Sequence, residues 1–298
     1  MPVEHISEFA DIAASISKLS DGKVPLTDKI SSHAYETMYG MFILPLRERK
    51  VKMLEIGLGC DSRYGAGASA ALWAQLLPLA ERWEAELDGA CVNRMSEQLR
   101  SLGIHPLVGD QSDPATLKRW VDESGGKFDV IIDDGGHTNL MINRSFQALW
   151  PHLNPGGLYI LEDLQVGRAK YKAGFPILAD MLHAWSETLI FNRRLEHGFS
   201  KKQYNPKEGV IGNTAAKVLV DSNPPMPSDV AFVFVQREAA VVGKLSIGGQ
   251  RANKLHASIK DDGHSLTVSD VERIRKMLEA YRLDARSSKI DHKIAISH

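Results

Sequence analysis

Residues 128–137, Phe-Asp-Val-Ile-Ile-Asp-Asp-Gly-Gly-His, constrain this chain more than any other stretch. Val130, Ile131 and Ile132 are β-branched and apolar, the pattern of a strand covered on both faces. The run ends on Asp133 and Asp134, then Gly135, Gly136 and His137. Ionisable groups at the end of a buried strand must be hydrated, paired or bound to a cation, because an isolated buried charge is too costly. In open α/β sheets, ligands sit at that carboxyl end. A second such end follows, where residues 157–161 read as a strand running into Glu162 and Asp163. Two strand ends, each with an acidic pair, point to one shared site.

The rest of the chain supplies the sheet. Residues 51–56 read as a first strand, followed by Gly57-Leu58-Gly59-Cys60-Asp61 and a helix from about residue 68 to 79. A strand over 83–87, a helix over 93–102 and a strand over 106–108 come next. Asp113-Pro114 then opens a helix, an N-cap followed by proline at the first helical position. After the strand at 128–133, a helix over 140–149 and the strand beyond Asn154-Pro155-Gly156-Gly157 complete the alternation. Strands and helices in this rhythm predict an α/β fold with a doubly wound, mostly parallel sheet. Residues 230–235 and 239–245 alternate around Gln236-Arg237-Glu238 and add an antiparallel C-terminal hairpin, which brings the sheet to seven strands.

Flanking this domain, which spans residues 48–246, are two smaller parts. Apolar spacing over 3–19 predicts a helix. With the polar and aromatic segment carrying Asp28, Lys29, His33, Tyr35 and Tyr39 it forms an N-terminal helical cap, residues 1–47. Residues 247–298 read as a polar appendage with one helix, opened by Ser269 with Glu272 in capping-box position. Residues 175–190 read as an amphipathic helix, whereas the polar, basic stretch 191–212 fits no element.

Composition narrows the classes. A net charge of −1 over 298 residues gives no global pull toward nucleic acid or anionic membrane. No apolar run approaches transmembrane length, and Glu4, Glu8 and Asp11 break any signal-peptide pattern in the first twenty residues. Two cysteines, Cys60 and Cys91, make neither a disulfide framework nor a zinc spacing. A reducing, cytoplasmic location is the expectation.

The strand ends suggest a chemistry. Glycines in Glu55-Ile56-Gly57-Leu58-Gly59 let backbone approach a ligand closely. A dinucleotide fingerprint would need a further glycine where Ser62 stands, and Glu55 would repel a pyrophosphate. A carboxylate there suits an ammonium group, which favours a cationic, phosphate-free cofactor. Glu86 is placed to accept from ribose hydroxyls, and Asp110 lies within reach of an adenine amino group in the same cleft. Asp134 can meet Glu162 and Asp163 across neighbouring strands, about 5 Å apart, over one hard divalent ion such as Mg²⁺ or Mn²⁺. A hydrogen-bonded carboxylate cluster closing helix N-termini is the alternative. His137 is suited to taking a proton near neutral pH; a purely structural or helix-start histidine is its competing reading.

Asp28-Lys29 with His33 and Tyr35, the Glu55 to Gly59 segment, the Ile132 to His137 segment and Glu162-Asp163 together make residues 28–245 resemble class I S-adenosylmethionine-dependent methyltransferases. Within that class the chain resembles the metal-dependent macrolide-sugar (mycinamicin-type) O-methyltransferases and related fungal proteins. The resemblance implies a Rossmann-like fold and O-methylation of a hydroxylated small molecule, a sugar, phenol or polyketide. It implies Asp134, Glu162 and Asp163 as ion ligands and His137 as general base. Cofactor contacts are expected from Glu55, Gly57, Gly59, Glu86, Asp110, Gln111 and Asp133. No nucleic acid or membrane partner is implied, and a homo-oligomer is left open. The sugar enzymes carry a larger N-terminal domain than precedes the first strand here. A non-catalytic cofactor- or partner-binding protein of the same fold is the alternative; an NAD-dependent oxidoreductase is disfavoured by Ser62 and Glu55.

Overall fold

Strands in the computed structural model lie in the order β3-β2-β1-β4-β5-β7-β6; the structure describes residues 2–19, 27–62, 65–169, 176–190 and 218–250. They are β1 (Lys52–Ile56), β2 (Glu81–Glu86), β3 (Ile104–Val108), β4 (Phe128–Asp133), β5 (Leu153–Leu161), β6 (Val230–Gln236) and β7 (Ala239–Lys244). The first five pair in parallel, and β7 runs antiparallel to both β5 and β6. This is the seven-stranded sheet with a closing hairpin that the alternation predicts. The order reverses between β1 and β4, so connections leave those strands on opposite sides and a crevice opens at their carboxyl ends.

Pleating decides what each face receives. Leu54, Ile56, Ile131, Tyr159 and Leu161 pack with Trp120 of α7 (Pro114–Ser124), Phe146 of α8 (Asn139–Leu149) and Trp185 of α9 (Leu178–Ile190). Met53, Val130, Ile132 and Ile160 face the other way, against Trp73 of α4 (Ala68–Leu76). The cap helices α1 (Pro2–Leu19), α2 (Asp28–Ser31) and α3 (Glu36–Phe42) cover that second face. Phe9, Tyr35 and Tyr39 are fully buried there, each burial contributing on the order of 1.5–3 kcal/mol. Gln236 ties the cap to the hairpin, accepting from the Met38 N–H at 3.1 Å and donating to the Ala34 carbonyl at 3.0 Å.

Some local expectations change. The helix expected over 93–102 is two, α5 (Gly89–Arg94) and α6 (Ser96–Ser101). Asp88 starts α5 early by accepting from the Ala90 and Cys91 N–H groups at 2.9 and 3.1 Å. Cys60 and Cys91, expected as unpaired thiols, form a disulfide with Cα atoms 6.1 Å apart. Because β1 and β2 are adjacent and parallel, the segments that follow them emerge side by side and bring the two cysteines together. That pairing removes the argument from free cysteines to a reducing compartment. No helix among the described residues is long and apolar enough to cross a membrane. The unassigned stretch 191–212 and the helix expected from Ser269 lie outside the described residues.

Candidate active site

The crevice at the strand ends is a cleft of about 420 Å³, within the usual range for small-molecule sites. Gly57, Gly59, Glu86, Asp110 and Gln111 line it. Gly57 sits at φ +108°, and a Cβ there would collide with the Asp134 carbonyl. The β1 turn therefore lies directly on the β4 turn, and only glycine permits it. Glu86 accepts from the Asp88 N–H at 3.0 Å and, weakly, from the Cys60 N–H at 3.5 Å. Asp110 accepts from the Ser112 N–H at 2.7 Å.

Two expected cofactor contacts lie elsewhere. Glu55 is fully buried, does not line the cleft, and accepts from Ser69 Oγ at 2.8 Å. Asp133 is fully buried on the α8 face, where it accepts from Gln111 Nε2 at 2.9 Å, from the Tyr159 hydroxyl at 3.0 Å and from Ser145 Oγ. Burial pushes its pKa up, while the hydrogen bonds from Ser145, Gln111 and Tyr159 oppose this. Gln111 in turn accepts from the Gly136 N–H at 2.8 Å. Asp133 thus acts through Gln111, bracing the glycine turn that carries His137.

The cap face holds a denser cluster. Lys29 Nζ, fully buried, donates to Asp134 Oδ2 at 2.9 Å and to both oxygens of Glu162 at 2.8 and 2.9 Å. It lies 3.5 Å from Glu55 Oε1. Tyr39 donates its hydroxyl to Glu162, and Tyr35 donates to Asp163 Oδ1 at 2.8 Å. Burial pulls the Lys29 ammonium down, but Asp134, Glu162, Tyr39 and Glu55 together hold it well above the ordinary lysine range. Burial lifts Asp134 to about 6 against the opposing pull of Lys29 and His137. Glu162 is likewise pushed up by burial and by Asp134.

Asp134, His137 and Asp163 each bring a ligand atom within 4.8 Å of the others. Two carboxylates and one imidazole are a donor set that a hard or borderline divalent ion accepts. Glu162 is not in this group; its carboxylate is turned inward to Lys29 and Tyr39. His137 and Asp163 share an unusual backbone, at φ 54° and 53°. Such left-handed conformations cost non-glycine residues about 1–3 kcal/mol each and gather at functional sites. His137 Nε2 stands 3.8 Å from Asp163 Oδ2.

The sequence reading missed the part played by Lys29, Tyr35 and Tyr39, although all three lie in the polar-aromatic segment of the cap. The available signal was a lone lysine set among aromatics, opposite strand ends carrying more carboxylates than they could satisfy among themselves.

No protein-family model matches the chain. It is 35% identical over 140 residues to 8-demethyl-8-alpha-L-rhamnosyl tetracenomycin-C 2'-O-methyltransferase of Streptomyces olivaceus, covering 47% of this chain and 35% of that protein. It is 33% identical over 150 residues to mycinamicin VI 2''-O-methyltransferase of Micromonospora griseorubida, covering 50% and 35%. Demethylmacrocin O-methyltransferase of Streptomyces fradiae is 35% identical over 141 residues, covering 47% and 34%. The chain thus spans about a third of the length of these curated relatives. Among solved structures, the MycE methyltransferase of the mycinamycin biosynthetic pathway, in complex with Mg and SAH, shares the fold. Its TM-score is 0.52 at 24% identity, over 78% of this chain and 55% of that one.

Proposed function

We propose that this chain, a class I-fold relative of the macrolide and deoxysugar O-methyltransferases, transfers a methyl group from S-adenosylmethionine to a hydroxyl of a sugar or related natural product. The observation that carries this reading is the charge of the cleft. Asp28, Asp61, Glu86, Asp110, Asp134 and Asp163 line it, and no lysine or arginine does among the described residues. Such a lining repels a dinucleotide's pyrophosphate and attracts a sulfonium and an ammonium. Glu86 is the expected acceptor for the ribose hydroxyls. Glu86→Ala should weaken S-adenosylmethionine and S-adenosylhomocysteine by about 1.5–3 kcal/mol, through lost charged hydrogen bonds. Calorimetry reads this directly, and wild-type protein silent toward both compounds would remove the methyltransferase reading.

The reaction breaks the bond between the methyl carbon and the sulfonium sulfur as the acceptor oxygen forms its own bond to that carbon. The hydroxyl proton passes to His137, which lines the same cleft. Asp134 and Asp163 would hold a divalent ion there, and that ion would lower the pKa of the acceptor hydroxyl and align it. Gly57 and Gly59 bring backbone close to the cofactor, and the Gln111 brace keeps the His137 turn fixed beneath it. Chelation should abolish turnover, Mg²⁺ or Mn²⁺ should restore it, and S-adenosylhomocysteine affinity should barely change. Full activity of an Asp134→Asn protein in chelator would exclude the ion from the mechanism.

A further inference from the structure

The Cys60–Cys91 disulfide has no part in the reaction above, yet it sits beside the cofactor's half of the cleft. Cys60 follows the glycine turn of β1 and lines the cleft, whereas Cys91, 3% exposed, lies in α5 behind β2. Between them stands Glu86, the carboxylate assigned to the ribose hydroxyls. It accepts from the Cys60 N–H on one oxygen, at 3.5 Å, and from the Asp88 N–H on the other, at 3.0 Å. Asp88 in turn accepts from the Cys91 N–H at 3.1 Å. The bridge therefore closes a ring that runs from Glu86 through Cys60, Cys91 and Asp88 and back to Glu86. The longest hydrogen bond in that ring is the one at Cys60, so the covalent link is what fixes the glycine-turn side of Glu86. The local packing does not depend on the bridge alone, because Leu58, Val92, Leu99 and Ile104 form a small core beside it, with Cys60 against them.

We propose that this disulfide is a redox control on cofactor binding. Oxidised, it holds the Cys60 segment and Glu86 in the arrangement that receives the cofactor; reduced, it releases that arrangement and binding weakens. This rests on the cofactor assigned above. The step moves two electrons. A dithiol reductant attacks the bridge through one thiolate, forms a mixed disulfide, and leaves as its own disulfide, while its two protons end on Cys60 and Cys91. Cys91 is covered, so Cys60 is the partner open to attack, from the cleft that the cofactor fills. Two thiols cannot stay at bonding distance, so the glycine turn and α5 part on reduction. Coupling between two sites is reciprocal. If reduction weakens the cofactor, bound cofactor must make the bridge harder to reduce by the same factor.

The test measures S-adenosylhomocysteine affinity by calorimetry for the full chain, oxidised and after reduction by dithiothreitol. Thiol titration counts the free cysteines, and thermal melting is recorded alongside. Reduction should free both thiols, leave a folded protein and weaken S-adenosylhomocysteine by about 5–150-fold, the usual span of a coupling between sites. In mixtures of reduced and oxidised dithiothreitol, saturating S-adenosylhomocysteine should raise the ratio of reduced to oxidised reagent that opens half the bridges, by that same factor. Cys60→Ser/Cys91→Ser should bind as weakly as reduced wild type and ignore dithiothreitol; the reduced wild type decides the matter even if this variant does not fold. A bridge that only stabilised the fold would lower the melting temperature on reduction and leave affinity and ratio where they were, which overturns the proposal. So does a native protein whose cysteines are both free under oxidising conditions. A reduced chain that unfolds overturns it too, because the bridge would then staple the fold and control nothing. Oxidised protein that binds no S-adenosylhomocysteine would remove the methyltransferase reading as well, whereas equal affinity in the two redox states sinks the redox control alone.

Discussion

Replacing His137 by alanine should lower turnover by about 10²–10⁴-fold, the usual contribution of a positioned general base, while cofactor affinity stays near wild type. The ring lines the cleft on a turn held by Gln111 through the Gly136 N–H, and Asp163 stands 3.8 Å from Nε2. A nearby carboxylate stabilises the imidazolium formed when the ring accepts a proton. A variant with near-normal turnover would assign deprotonation to the ion alone.

Lys29→Met alone should destabilise the protein by about 3–5 kcal/mol at neutral pH, the cost of breaking a buried ion pair from one side. Its pH dependence has a definite sign. Burial already pushes Asp134, to about 6, and Glu162 upward, and Lys29 is a cation pulling both back down. Without it their folded-state values rise further. A carboxyl raised on folding contributes stability that is complete below its unfolded value and is lost as pH rises through its folded value. The gap between wild type and variant should therefore shrink toward pH 5 and widen toward pH 8. Urea unfolding at the two pH values measures it; an equal gap at both would show that Lys29 does not neutralise these carboxylates.

Strand alternation explains how far this site was legible. The apolar runs identify β1, β4 and β5 because each is buried on both faces, and their acidic ends follow directly. Gly57, Gly59, Glu86 and Asp110 were read from their positions as facing one cleft; they line it, as does Gln111. Extending the same period by one residue separates the acidic neighbours. Glu55, Asp134 and Glu162 fall on the cap face with Met53, Ile132 and Ile160, while Asp133 falls with Ile131 on the α8 face. Assigning both Asp133 and Asp134 to the one cleft overlooked that period. Lys29 was harder to place, because no local pattern tells a cap lysine that its partners lie 105 and 133 residues further along. The disulfide escaped for a related reason, since only the adjacency of β1 and β2 joins cysteines 31 residues apart.

Those separations also bear on how the chain folds. Tyr35 reaches Asp163 across 128 residues, and His33 reaches Glu238 across 205, at 2.8 Å in both cases. Loops of that length must close before the contacts that reward closure exist, which is the feature that slows non-local topologies. Helices and neighbouring strand pairs can form from nearby sequence, but the carboxylate cluster needs the cap, both central strand ends and the hairpin turn at once. No single segment can nucleate it. The cluster is therefore a property of the whole fold and not of any one segment.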